Sequence, residues 1–202
     1  MGYTTDFLGH IVIDPPLNDQ EAAYLSAFHH SRRWDRPGGA YDVPPNPFAE
    51  QRSGADIDAY NRPTPGQPQL YCQWQACWEG CCLSFDGNEK FYEPVQWLRY
   101  LIAHFLAPGA EASAAGLPVF EAFSFDHRLD GLIIGNRRDT REMFAICVDD
   151  NVVREKVLVP GRNSYRGLPR LPYEEAIDKW ADYLADLRRS GRGPRSWRGL
   201  TA

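Results

Sequence analysis

Residues 143–158 read MFAICVDDNVVREKVL, two runs of strand length on either side of Asp149-Asp150-Asn151. So short a polar joint lets the second run return beside the first. It cannot supply the crossover that a parallel pair needs. The same reasoning extends upstream, where GLIIG at 131–135 reaches this pair through Asn136 to Arg141. VFEAFSFD at 119–126 reaches GLIIG through His127 to Asp130. The spacing predicts an antiparallel meander of strands at 119–126, 131–135, 143–148 and 152–158. Alternate joints of a meander share an edge, so His127 or Asp130 could come close to Asp149 or Asp150.

A sheet with one apolar face needs a cover, and residues 94–106 supply a candidate. Pro94 suits the first position of a helix, where its missing N–H would be unpaired in any case. Val95, Leu98, Leu101, Ile102 and Phe105 then form an apolar stripe, widened by Trp97 and Leu106, before Pro108-Gly109 ends the run. Upstream, FLGHIVI at 7–13 reads as a strand. Asn18 and Glu21 have the spacing of a capping box for a helix over 19–30. LYCQWQAC at 70–77 and CCLSF at 81–85 read as a hairpin around Trp78-Glu79-Gly80. Downstream, 173–188 carries Ile177, Trp180, Leu184 and Leu187 at helical spacing.

The predicted architecture is α+β, a mostly antiparallel sheet packed against a central amphipathic helix, with additional N- and C-terminal helices. Residues 1–187 form one domain in this reading. It includes a long Pro/Gly-rich loop at 34–68, whose Trp34, Tyr41, Phe48 and Tyr60 should fold over the core and wall a site. Residues 188–202 form a basic, flexible tail. Its arginines 188, 189, 192, 195 and 198, beside Trp197, are the one stretch suited to nucleic acid.

Composition narrows the function classes. The 202 residues are 43% apolar and 24% charged, ordinary for a globular chain, and the net charge of −5 disfavours a surface built to neutralise phosphates. The opening MGYTTDFLGHIVID lacks a basic leader, and no run is long enough to span a bilayer, so a cytoplasmic location is expected. Four of the five cysteines crowd at 72, 77, 81 and 82 without a CxxC pair. On a strand Cys81 and Cys82 would point to opposite faces, which favours reduced thiols over a zinc site or a nucleophile partnered by His127.

MGYTTDF with Gly9, then PPL, SRR, GQP, QW and the SFDG-EKFY stretch at 84–92 resemble a family of uncharacterised bacterial and bacteriophage proteins. The resemblance covers most of residues 1–153. It brings no activity and assigns no catalytic positions.

Two readings of function come from the residues themselves. Exposed rings and planar donors suit a binding or protein-interaction module with a polar-aromatic surface formed by Arg32, Arg33, Tyr60, Asn61, Gln73, Asp86, Glu89, Phe91 and Tyr92. Its partner would be a protein or a small polar-aromatic ligand. The alternative is a metal-dependent hydrolase or transferase using His127, Asp130, Asp149 and Asp150. Asp and Asn also serve turns, so these carboxylates have a local role to play in either case. No cofactor and no metal site is assigned, and a homo-oligomer is left open.

Overall fold

Thr5–Asp14 forms strand β1 and shows the alternation of a half-covered strand. Thr5, Ile11 and Ile13 are buried, with Phe7 partly so, while Asp6, Leu8, His10, Val12 and Asp14 face outward. The remaining strands are β2 (Trp74–Ala76), β3 (Cys82–Phe85), β4 (Arg128–Arg137), β5 (Met143–Asp149) and β6 (Val152–Val159). They make one antiparallel sheet in the order β2-β3-β1-β4-β5-β6. These details come from a computed structural model that describes residues 4–47 and 57–162, with Lys179, Asp182, Tyr183 and Asp186. The chain divides into two units, Met1–Asn163 and Ser164–Ala202, and the sheet belongs to the first. The four residues described in the second are helical. The rest of the helix expected at 173–188, and the basic stretch 188–202, lie outside the described residues.

The meander has three strands rather than four. Residues 119–126 do not pair; Pro118–Phe120 is a single 3-10 turn, and Phe125 takes a positive φ of 49°. Phe120 and Phe123, three apart, bury against Tyr24 with ring centroids 5.1 and 5.6 Å away. Their spacing served a turn, not an alternating strand. The place beside β4 is taken by β1, in register from Thr5↔Arg137 to Asp14↔Arg128. The two backbones approach closely at Gly9, where φ is 115° and a Cβ would stand 2.3 Å from the Leu132 carbonyl oxygen.

Helices cover one face. Helix α1 (Asp19–His30) starts at the expected capping box, with the Asn18 side chain accepting from the backbone N–H of Gln20 and Glu21 while Glu21 accepts from that of Asn18. Helix α2 (Ile57–Tyr60) is a single turn within the long loop. Helix α3 (Pro94–Leu101) runs on through a π-helical turn, Ile102–Leu106. Every residue of the predicted stripe, with Trp97 and Leu106, is buried. Polar bonds fix this helix across the sheet. Trp74 Nε1 donates to the Pro94 carbonyl at 2.7 Å near β2, and Arg99 donates to the Val153 carbonyl at 3.2 Å on β6.

The long loop is anchored from beneath by Arg33. Its guanidinium donates to the Ala40 and Asp42 carbonyls, Ser31 Oγ and Gln67 Oε1 at 2.6–3.2 Å, and lies 4.0 Å over the Phe28 ring. Tyr41 packs on Phe105 and Phe120, and Trp34 on Tyr60. Phe48 lies outside the described residues.

Candidate functional site

The backbone brings the expected joints together, but the His127 ring does not face the carboxylates. Asn151 Nδ2 donates to the His127 carbonyl at 3.0 Å, and Asn151 Oδ1 accepts from the Leu129 N–H at 2.8 Å. Asp130 Oδ1 accepts from the Asp150 N–H at 2.9 Å, and Arg128 Nε lies 2.8 Å from Asp130 and 3.3 Å from Asp150. Asp149 faces Arg154 at 3.6 Å. These carboxylates close turns and pair with arginine at the surface. The Asp150 backbone N–H and then Arg128 lower the Asp130 carboxyl below its ordinary value.

The His127 ring turns inward. Its Nδ1 lies 2.7 Å from the Pro15 carbonyl, and its Nε2 lies 3.1 Å from Glu21 Oε2 and 3.3 Å from Ser124 Oγ. Because a carbonyl oxygen only accepts, Nδ1 carries the hydrogen of that bond. Glu21 Oε1 accepts in addition from the Ser124 N–H at 2.6 Å and from its hydroxyl at 3.0 Å. Burial raises the Glu21 carboxyl, but these backbone bonds from Asn18 and Ser124, with His127 nearby, outweigh it and the net shift is downward. A serine, a histidine and a glutamate in one cluster resemble a nucleophile set. Here serine and acid share the same ring nitrogen, and glutamate and histidine side chains are each only 1% exposed. Neither the acid nor the ring is open to a substrate, while Ser124 itself is an exposed residue. The cluster is a pin joining α1, Pro15 and the segment before β4.

Three residues expected at the binding surface, Arg33, Gln73 and Phe91, are buried, and two of them belong to the interior. Arg33 is the loop anchor, with burial lowering its guanidinium to about 10. Phe91 stacks on Phe85 and meets Trp74 edge-on in the core. Tyr92 is half-buried in the connector before α3.

The others gather. Arg32 donates to the Tyr60 carbonyl, Asn61 Oδ1 and Tyr71 Oη, with its charge 4.5 Å from the Tyr60 ring centre and 5.2 Å from that of Tyr71. Tyr71, half-exposed, then rims a cleft of about 310 Å³. Gln73, Asp86 and Glu89 line this cleft beside His29 and His30. Asp86 accepts from the Asn88 backbone and side chain at 2.8 and 2.7 Å and lies 3.5 Å from His29 Nε2. Burial and then His30 lower the His29 imidazole, against the pull of Asp86. Gln73 Nε2 holds the Glu89 carbonyl at 3.3 Å, which leaves Gln73 Oε1 enclosed without a hydrogen-bond partner.

Across the hairpin, the thiols of Cys77, Cys81 and Cys82 lie within 4.8 Å of one another. Among the described residues they are the one group of three or more His, Cys, Asp or Glu ligand atoms so placed. The expected divergence of Cys81 and Cys82 fails because β3 begins only at Cys82, so Cys81 still belongs to the turn and pleat alternation does not govern it. Burial opposes ionisation of Cys77, yet thiol hydrogen bonds from Cys82 and Cys81 bring it down to about 7.

Sequence reasoning missed Tyr71, His29 and the second role of Glu21. Tyr71 and the 29–30 pair carried a signal, since an aromatic on the polar side of a hairpin and two histidines at a helix end are both visible. Glu21 carried none beyond its cap. Among the described residues, no helix is long and apolar enough to cross a membrane. The chain matches no protein-family model, no curated protein and no solved structure.

Proposed function

We propose that the protein is a binding module whose recognition surface is the cleft at the C-terminal end of α1 together with the Arg32 stack on its rim. The observation that carries this reading is the double membership of Tyr71. Its hydroxyl is held by Arg32 on one side while its ring borders the cleft on the other. Arg32, Tyr60, Asn61, Gln73, Asp86 and Glu89 thereby become one continuous polar-aromatic surface.

The chemistry of the surface defines the occupant. Asp86, Glu89 and the unpartnered Gln73 oxygen are acceptors, and Tyr71 offers a flat ring. The complementary ligand is a small planar polar-aromatic group bearing N–H donors, free or carried on a protein partner. A donor reaching Gln73 Oε1 relieves the cost of an enclosed, unpaired oxygen, on the order of 1–3 kcal/mol. Free thiols at all five cysteines suit a reducing compartment such as the cytoplasm.

Ligand-detected NMR with a library of aminated heterocycles and indole- or guanidine-bearing peptides tests the reading. Hits are expected to shift the Tyr71 and His30 signals and to be lost in Tyr71→Ala, whose unfolding midpoint stays close to that of the parent. Hits unaffected by Tyr71→Ala and Glu89→Ala would place recognition elsewhere.

A further inference from the structure

We propose that Cys77, Cys81 and Cys82 form a site for one thiophilic divalent cation of the zinc class, held by three thiolates at the tip of the β2–β3 hairpin. This site is separate from the cleft and does not depend on what the cleft binds.

Geometry supports it. Zinc–sulfur bonds of about 2.3 Å at tetrahedral angles place neighbouring sulfurs about 3.8 Å apart. The three sulfurs lie within 4.8 Å of one another, with Cys77 and Cys81 at 3.4 Å, so small side-chain rotations complete the set. Glu79, in the same turn, has a carboxylate oxygen 3.9 Å from Cys81 Sγ, near enough to swing to the fourth position.

The backbone that presents these thiols is held in place. Cys77 N–H donates to the Cys82 carbonyl at 2.9 Å, and Gly80 N–H donates to the Cys77 carbonyl at 3.0 Å. The tip docks on the domain, with the Leu17 N–H on the Gly80 carbonyl and the Ile13 N–H on the Cys81 carbonyl at 3.0 and 2.8 Å. Gly80 has a φ of 68°, and a Cβ there would stand 2.9 Å from the Leu17 carbonyl oxygen. Ligands mounted on a fixed turn lose little freedom on coordination. A disulfide between Cys77 and Cys81 is the competing use of the same closeness. It would leave both the third thiol and the carboxylate without a role.

The experiment uses the full chain, reduced and freed of metal by chelation, and titrated with Co²⁺. A thiolate-to-cobalt charge-transfer band with intense visible bands is expected at one equivalent, bleached by Zn²⁺. Zn²⁺ should protect three cysteines from alkylation beyond the buried Cys72, and mass mapping should identify them as 77, 81 and 82. Cys81→Ser, whose fold is verified by circular dichroism, should weaken Zn²⁺ binding on the order of tenfold or more. Cys147→Ser should bind like the parent. Absence of the cobalt–thiolate band, equal alkylation with and without Zn²⁺, or a Cys77–Cys81 disulfide in protein from thiol-blocked lysates would overturn the proposal.

Discussion

Glu21 Oε2 and His127 Nε2 meet at 3.1 Å, with both side chains enclosed and every oxygen of the carboxylate engaged. The pair links the start of α1 to the residue that precedes β4, across more than a hundred positions of sequence.

Removing either partner leaves a buried polar group without its match. Glu21→Ala and His127→Ala are each expected to cost about 3–5 kcal/mol, read from urea unfolding. Glu21→Gln should cost less, because the amide oxygen still caps the helix. A loss under about 1 kcal/mol in Glu21→Ala would show that the cluster does not hold these segments together.

The same carboxylate sets a pH dependence. Its value in the folded chain lies below the ordinary 4.5, so its stabilising contribution is complete above that value. The contribution is lost as pH falls from 4.5 through the folded value, since the unfolded chain takes up the proton first. Urea midpoints measured downward from pH 5.5 should decline in the parent. In Glu21→Gln the decline should be shallower.

Adjacent arginines should behave in opposite ways. Arg33→Ala is expected to destabilise by about 3–5 kcal/mol and to release the loop, and Arg33→Lys should recover little, because an ammonium cannot span four acceptors in fork geometry. Arg32→Ala should leave the unfolding midpoint nearly unchanged and abolish any ligand response at Tyr71. Thermal unfolding and NMR titration of the two variants side by side make the comparison.

Gly135 is the position where β4 admits the Phe144 ring, and a Cβ there would lie 2.3 Å from Phe144 Cζ. Gly135→Ala is expected to cost about 1–3 kcal/mol through overpacking. Gly135→Ala/Phe144→Leu, which vacates that space, should recover part of the loss.

Asp149→Ala should neither unfold the protein nor remove a cation. Its side chain is exposed, 3.6 Å from the exposed Arg154, with Arg128 acting on it through charge alone. An unchanged urea midpoint and an unchanged Zn²⁺ stoichiometry are expected. Loss of bound metal in this variant would move the site to the strand ends.

The fold was legible wherever one short-range rule decided it. Asn18 with Glu21, Pro94 ahead of its stripe, and the Asp149-Asp150-Asn151 joint each specify local geometry from a few neighbouring residues. The strand at 119–126 failed because Phe123 and Phe125 alternate as in a strand while Phe120 and Phe123 are one turn apart. Only the presence of β1 beside β4, a distant partner, decides between them. Arg32 and Arg33 show the same limit at the site. Two identical neighbours went to surface and interior because of loop carbonyls at Ala40 and Asp42, which no local pattern reveals. The expected divergence of Cys81 and Cys82 failed for the converse reason, a strand rule applied one residue too early.

Placing the first strand in the middle of the sheet has a consequence for how the chain matures. β1 is synthesised more than a hundred residues before Arg128–Arg137 and cannot close its longest ladder until that strand follows. Until then the edge of β1 that faces β4 stays unpaired. Refolding in vitro should accordingly be slow for a chain of this size, limited by closure of that long span.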